Sequence, residues 1–211
     1  MDNLQKYITE IGTRSKAASR EIRHASLLAR NQSLVSISSE ILKFKTKILE
    51  ANNDDLNQNK NLSSSMIDRL TLTASGIDSL AEGVLKVSSL PDPIGNIEDL
   101  RQQPSGIKVG KMKVPIGVVG MIYEARPSVT ADVAALVIKS GNAALLKGGV
   151  EAAKTNSVLM EAILAGINQV GLIPSDSVQL VDPTDRRIAE KLIQADTCLL
   201  YTSPSPRDST L

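Results

Sequence analysis

Three short apolar runs, "IGVVGMI", "AALLK" and "SVQLV", recur in the second half of this chain, separated by stretches of helical periodicity. Runs this short and apolar are read as buried strands, and strands that alternate with helices form a parallel sheet through crossover connections. No other feature restricts the fold as much, and it predicts the α/β class. The first strand is predicted at Ile116–Ile122, behind a short ribbon rich in β-branched residues. "RPSVTADVAALVIKSG" then predicts a helix starting at Pro127 or Ser128, with Val129, Val133, Leu136 and Val137 as its apolar face and Gly141 at its C-terminal cap. A further helix is expected from about Ala152 to Val170, and a last one with Asp182 as its N-cap ahead of Pro183.

Residues 1–96 read instead as a helical region. Leu4, Tyr7, Ile8 and Ile11 leave one apolar stripe, and Ser33 to Asn52 repeats the pattern through Leu34, Ile37, Ile41, Phe44, Ile48 and Leu49. "NNDDLNQNKNLSSS" is expected to be a polar break, followed by short helices around Met66–Leu70 and Ile77–Leu85. "LPDPIG" ends the region, because two closely spaced prolines do not continue a helix. Residues 97–197 form the parallel βαβαβ part, and 198–211 read as a tail of different character.

Bulk properties exclude several classes. With 42% hydrophobic and 22% charged residues the chain is not disordered, and a net charge of +1 leaves no electrostatic footprint for nucleic acid. The aromatics are Phe44, Tyr7, Tyr123 and Tyr201, too few for a base-stacking platform. No apolar run approaches the ~18 residues of a membrane span. The N-terminus has no signal-peptide character, and one cysteine, Cys198, cannot form an internal disulfide. A soluble, cytoplasmic protein that contacts neither membrane nor nucleic acid is expected.

Ligands of open parallel sheets bind beyond the carboxyl ends of the strands. The first strand carries Tyr123, Glu124 and Arg126 there, and the second carries Lys147, Gly148 and Gly149. Two cations beside helix N-termini and glycines suit a phosphate or a nucleotide ribose. The plain alternative pairs Arg126 with Glu124 or Asp132 and makes Gly148–Gly149 a simple turn. Neither G-x-G-x-x-G nor a P-loop is present. His24, placed in the first helix, has no partner at metal-ligand spacing, and no metal is expected. Asp54–Asp55 and Lys43, Lys45 and Lys47 read as solvated faces and loops.

The segment "VPIGVVGMIYEARPSVTADVAALVIKSGNAALLKGGVEAAKTN" resembles the gamma-glutamyl phosphate reductase (glutamate-5-semialdehyde dehydrogenase) family, a branch of the aldehyde dehydrogenase superfamily. "IYEARPSVTADVAAL" and "SGNAALLKGG" carry the resemblance, and "MIDRLTLT" with "VSSLPDPIG" extends it into the helical region. It covers about residues 1–197, the first half of a family member. It implies an aldehyde dehydrogenase-type sheet, truncated, with residues 97–197 an incomplete Rossmann-like NADPH-binding region, and NADPH-dependent reduction of L-glutamyl 5-phosphate to L-glutamate 5-semialdehyde and phosphate in proline synthesis. In that chemistry a cysteine attacks the acyl phosphate and NADPH reduces the thioester.

By position, the resemblance assigns Ile122, Tyr123, Lys147, Gly148 and Gly149 to the cofactor, Lys147 at its adenosine ribose. Glu124 and Arg126 fall to the substrate. It also implies a homo-oligomer at full length. The family's nucleophile lies in a later domain, so Cys198 is not expected to be that residue. From Cys198 on, "CLLYTSPSPRDSTL" resembles translated sequencing-adaptor read-through and is expected to be non-native. The fragment is then expected to be inactive alone. A start at Met1 argues against the reductase half of a fused kinase–reductase. The rival reading from another class is a stand-alone, non-catalytic nucleotide-binding or helical interaction module.

Overall fold

A computed structural model of the chain describes residues 3–185, 187–195 and 200–202. Five helices come first: α1 (Asn3–Ile22), α2 (Leu27–Lys43), α3 (Lys45–Gln58), α4 (Ser64–Leu70) and α5 (Ala74–Ser89). Hydroxyl caps start three of them, with Ser26, Ser63 and Thr73 accepting from the backbone N–H of Ala29, Met66 and Gly76. An antiparallel ribbon follows, β1 (Ile97–Gln102) with β2 (Lys108–Met112), exposed along its whole length. The remainder alternates: β3 (Val118–Ile122), α6 (Ser128–Lys139), β4 (Ala143–Lys147), α7 (Ala153–Val170), β5 (Val178–Leu180), α8 (Arg187–Gln194) and β6 (Leu200–Thr202).

The four later strands form one parallel sheet in the order β5-β4-β3-β6. This is the α/β architecture expected, with a helical region ahead of a parallel βαβαβ unit. The backbone of Leu200–Thr202 adds a strand beside Val119–Met121. Cys198 and residues 203–211 lie outside the described residues. No described helix is long and apolar enough to cross a membrane.

Strand alternation divides the core between the two faces of the sheet. Val119, Ala144, Leu146 and Val178 pack with α6, α7 and the helices α2, α3 and α5. Val118, Ala143, Leu145 and Val181 face the other way, against Ile8 and Ile11 of α1 and Ile188 and Leu192 of α8. The helical region therefore clasps the sheet from both sides. The approach of α2 to α7 is so close that a β-carbon on Gly166 would stand 2.6 Å from the backbone of Ile37.

Several local expectations are corrected. The pattern from Ser33 to Asn52 belongs to two helices that break at Phe44, where ψ is 0°. The apolar period runs across the break and hides it. The supposed polar break is helical to Gln58, because its polar side chains are bonded inside the protein. Asn52 donates to Leu70 O (2.8 Å) and accepts from Leu72 N (2.8 Å), tying down the α4–α5 link. Asp55, expected in solvent, is buried and accepts from Thr155 N at 2.8 Å, Thr155 Oγ1 at 2.6 Å and Lys154 N at 3.2 Å. It serves as the N-cap of α7, supplied from a different helix.

On α6 the buried residues are Thr130, Ala131, Ala134, Ala135, Val137, Ile138 and Lys139, while Leu136 is 55% exposed and Val129 and Val133 are only partly covered. Small alanines let the helix lie close to its neighbours, which rotates the contact face away from the bulkier residues. Gly141, in the left-handed region at φ 69°, follows α6 as expected. Asp182 makes a local turn with Thr184 instead of capping α8, and Asp185 meets the N–H of Arg187 at 2.9 Å. His24 lies exposed in the turn after α1.

Replacing Asp55 by alanine leaves two helix N–H groups and a hydroxyl unsatisfied in a buried site. Asp55→Ala is expected to cost about 2–3 kcal/mol of stability, and Asp55→Asn, which keeps one acceptor, about half of that. The midpoint of urea unfolding checks both.

Candidate functional site

The β3–β4 register is continuous and sets Ile122 directly beside Lys147 at the carboxyl edge of the sheet. One step further on, Tyr123 N donates to Lys147 O at 3.0 Å, so the two strand ends leave the sheet as a linked pair. Strand order reverses at β3: the chain steps to β4 and β5 on one side and to β6 on the other. In open α/β sheets such a reversal opens the crevice in which ligands bind.

Alternation then sends these residues to different places. By strand parity Ile122 and Lys147 belong to the face covered by α1 and α8, whereas Tyr123 belongs to the α6–α7 face. Lys147 is buried, and its charge reaches Asp185 in the loop ahead of α8. Bonds from Arg187 are the main reason the Asp185 carboxyl lies below the usual range, and the Lys147 field adds to them.

Past Ile122 the loop alternates as a strand would: Tyr123 and Ala125 are buried while Glu124 and Arg126 are exposed. Ala125 packs with Leu70 of α4 and Ala152, so the helical region buttresses the loop from behind. Arg126 N donates to Glu124 O at 2.6 Å, which bends the chain into Pro127 and α6. Among the described residues Arg126 forms no ion pair with Glu124 or Asp132, contrary to the plain alternative.

Two residues that the sequence did not single out complete this edge. Tyr123 Oη lies 2.6 Å from Thr130 Oγ1, which donates to Asn156 Oδ1 at 2.9 Å. All three side chains are buried. A polar residue in the first turn of α6, Thr130, and another in the first turn of α7, Asn156, were the available signals. Gly148 fits against the same group: a β-carbon there would lie 2.3 Å from Asn156 Nδ2 and 3.2 Å from the Tyr123 ring. The space that Gly148 leaves is thus filled by the protein itself. At Gly149 the neighbouring atoms are the carboxylate of Glu151, the movable end of a flexible side chain.

No family model matches the chain. It is 42% identical over 197 residues to the gamma-glutamyl phosphate reductase of Ruthia magnifica subsp. Calyptogena magnifica, a match that takes in 92% of this chain and 47% of that protein. The chain is homologous to the gamma-glutamyl phosphate reductases. Crystal structures of that name agree closely. The Thermotoga maritima protein superposes with a TM-score of 0.88 at 29% identity, covering 95% of this chain and 49% of the other. The Saccharomyces cerevisiae protein gives 0.86 at 30%, covering 96% and 52%. A probable aldehyde dehydrogenase from Listeria monocytogenes, 14% identical, shares the fold with a TM-score of 0.73 over 96% of this chain and 42% of its own. The chain therefore spans about half the length of the relatives it matches.

Burial pushes the Tyr123 phenol up to about 12, against the weaker opposing pull of its bond to Thr130. A folded-state value above the unfolded value of about 10 makes the folded protein hold its proton longer. The associated stability is complete below pH ~10 and is lost as the pH rises from there towards 12. Denaturant titrations at stepped alkaline pH are expected to show this loss, and Tyr123→Phe to remove that component of it.

Proposed function

We propose that this chain forms the dinucleotide-binding part of an enzyme that converts L-glutamyl 5-phosphate, NADPH and a proton into L-glutamate 5-semialdehyde, phosphate and NADP+, in proline synthesis. The observation that carries the reading is the pairing of Ile122 with Lys147 at the carboxyl edge of the parallel sheet, continued by the bond from Tyr123 N to Lys147 O. Homology to the reductases over 92% of the chain supports it.

The residues present suit a dinucleotide held without a glycine fingerprint. In the usual Rossmann arrangement a helix N-terminus binds the pyrophosphate. The first free N–H groups of α7 are already occupied by Asp55, so that helix end does not offer the same seat. Lys147, on the face shared with Ile122, would donate to a ribose hydroxyl, and Gly148 and Gly149 would meet the cofactor through their backbone. Tyr123 would contribute through its main chain, since its ring is turned inward. When bound, the nicotinamide supplies the hydride.

Arg126 and Glu124, exposed on one side of the loop, suit the substrate's opposite charges. The guanidinium offers a planar fork to the acyl phosphate or the α-carboxylate, and the carboxylate of Glu124 offers an acceptor to the α-ammonium group. The thiol that forms the acyl-enzyme is proposed to lie in a part of the reductase outside this chain, so that the chain binds cofactor but does not turn over substrate. Cytoplasmic location and assembly into a homo-oligomer at full length belong to the same proposal.

Calorimetry with NADPH tests the reading on the 211-residue chain. Lys147→Ala is expected to weaken binding by about 1.5–3 kcal/mol, the range for a hydrogen bond to a charged group. An unchanged dissociation constant removes Lys147 from the site. Phosphate-dependent oxidation of the semialdehyde by this chain alone would overturn the placement of the nucleophile. In a reductase carrying the remainder, Arg126→Lys is expected to lower kcat/KM for glutamyl phosphate at near-normal melting temperature, because the lysine keeps the charge and loses the fork. A fall in melting temperature with intact kinetics would make Arg126 structural.

A further inference from the structure

The two loops of the candidate site are joined beneath the surface by a closed path. Tyr123 reaches Thr130 in the first turn of α6, Thr130 reaches Asn156 in the first turn of α7, and Asn156 Nδ2 stands where a β-carbon of Gly148 would be. The path returns to its start through the bond from Tyr123 N to Lys147 O. Thr130 is fully buried, and Asn156 and Tyr123 nearly so, at 2% and 3% exposure. A Thr hydroxyl has one proton: given to Asn156 Oδ1, it leaves the oxygen to accept from the Tyr123 phenol. The phenol then stays protonated, a state that its burial favours by itself.

We propose that Tyr123, Thr130 and Asn156 act as positioning residues that couple the Tyr123–Arg126 loop to the Lys147–Gly149 turn, so that the two halves of the site keep a fixed spacing. None of the three side chains needs to touch a ligand for this. The path runs from strand end to helix start through one buried hydrogen bond, between the two helix starts through a second, and back to the β4 turn through the close approach of Asn156 to Gly148. Loss of one bond lets either loop shift relative to the other without unpacking the apolar core, in which the Tyr123 ring is one member among many aliphatic side chains. A buried network of this kind fixes geometry more than it adds stability. Only the effect on cofactor affinity rests on the dinucleotide reading above; the coupling of the loops does not.

Thr130→Val, of nearly the same shape, removes the hydroxyl, and Thr130→Ser restores it. Amide hydrogen exchange of the 211-residue chain without ligand reads the coupling directly. In Thr130→Val the amides of residues 123–126 and 147–149 are expected to exchange about tenfold faster together, as for the loss of one buried bond. Amides of the α2–α7 contact should stay within twofold, and Thr130→Ser should recover protection. Tyr123→Phe, which keeps the ring packing, is expected to loosen the same two segments and so guards against misfolding of the valine variant. If both variants leave the two segments unchanged, or if exchange rises equally throughout the chain, the three residues are ordinary core and the proposal fails. NADPH calorimetry on the same samples adds the consequence, an affinity reduced about five- to tenfold in Thr130→Val and recovered in Thr130→Ser. A wild-type chain that binds no NADPH, yet shows the coupled exchange, would overturn the dinucleotide reading and leave the coupling standing.

Discussion

The seating of α7 is the constraint on which the rest of this structure depends. Gly166 lets its C-terminal half lie against the backbone of Ile37 in α2, and Asp55 of α3 closes its N-terminus through three hydrogen bonds. Both contacts come from the helical region, so α7 is located from outside the βαβ unit to which it belongs. Because the Lys147–Gly149 turn runs into α7 through a single 3-10 turn, Val150–Ala152, holding the helix also holds the turn. Removal of apolar side chains from water supplies most of the driving force at the helix interface. The choice of one arrangement over neighbouring ones falls to the glycine and the carboxylate, which tolerate little displacement.

From there the sheet distributes chemistry by parity. Lys147 and Ile122 share one face at the carboxyl edge while Tyr123 takes the other, although the three are contiguous in space. The side proposed for the ligand and the side that supports the loop are thereby separated by one residue of backbone. The support side is polar and buried, with each described partner of Tyr123 and Thr130 at hydrogen-bond distance, whereas the ligand side keeps charged groups near one another. Buried networks remain cheap only when satisfied. The conformation of the loop is therefore tied to the placement of α6 and α7.

Much of this was legible in the sequence. Short apolar runs and turn residues located β3, β4 and β5, and the strand-end rule then led to Glu124, Arg126, Lys147 and the glycines without a motif. What stayed hidden has one physical cause: pattern reading treats a polar residue as a mark of solvent. Asp55 and Asn52 sit in a run so polar that a loop was expected, yet each is buried because it answers backbone groups of a distant segment. Thr130 and Asn156 were missed for the same reason. The buried face of α6 was misjudged because alanine adds little to an apolar stripe, although it governs how closely a helix can approach. Long-range polar pairing leaves no period in the chain, so only the fold reveals it.

The missing glycine fingerprint and the position of Asp55 have a common explanation. A parallel βα unit presents unsatisfied N–H groups at each helix start, with the positive end of the helix dipole behind them. Those groups require an anion or an acceptor whether or not a ligand is present. Where a phosphate is to be the acceptor, glycines must clear its approach; where the protein supplies its own carboxylate, no such clearance is needed. At α7 the carboxylate of Asp55 takes that role, and Gly148 instead makes room for Asn156 and the Tyr123 ring. The glycine pair after β4 therefore looks like a phosphate loop in sequence while its first member works as a packing residue. On the reading proposed above, a dinucleotide at this edge would meet Lys147, the backbone of the two turns and the exposed charges of the Glu124–Arg126 loop. That set favours recognition by discrete side chains over capture by a helix terminus.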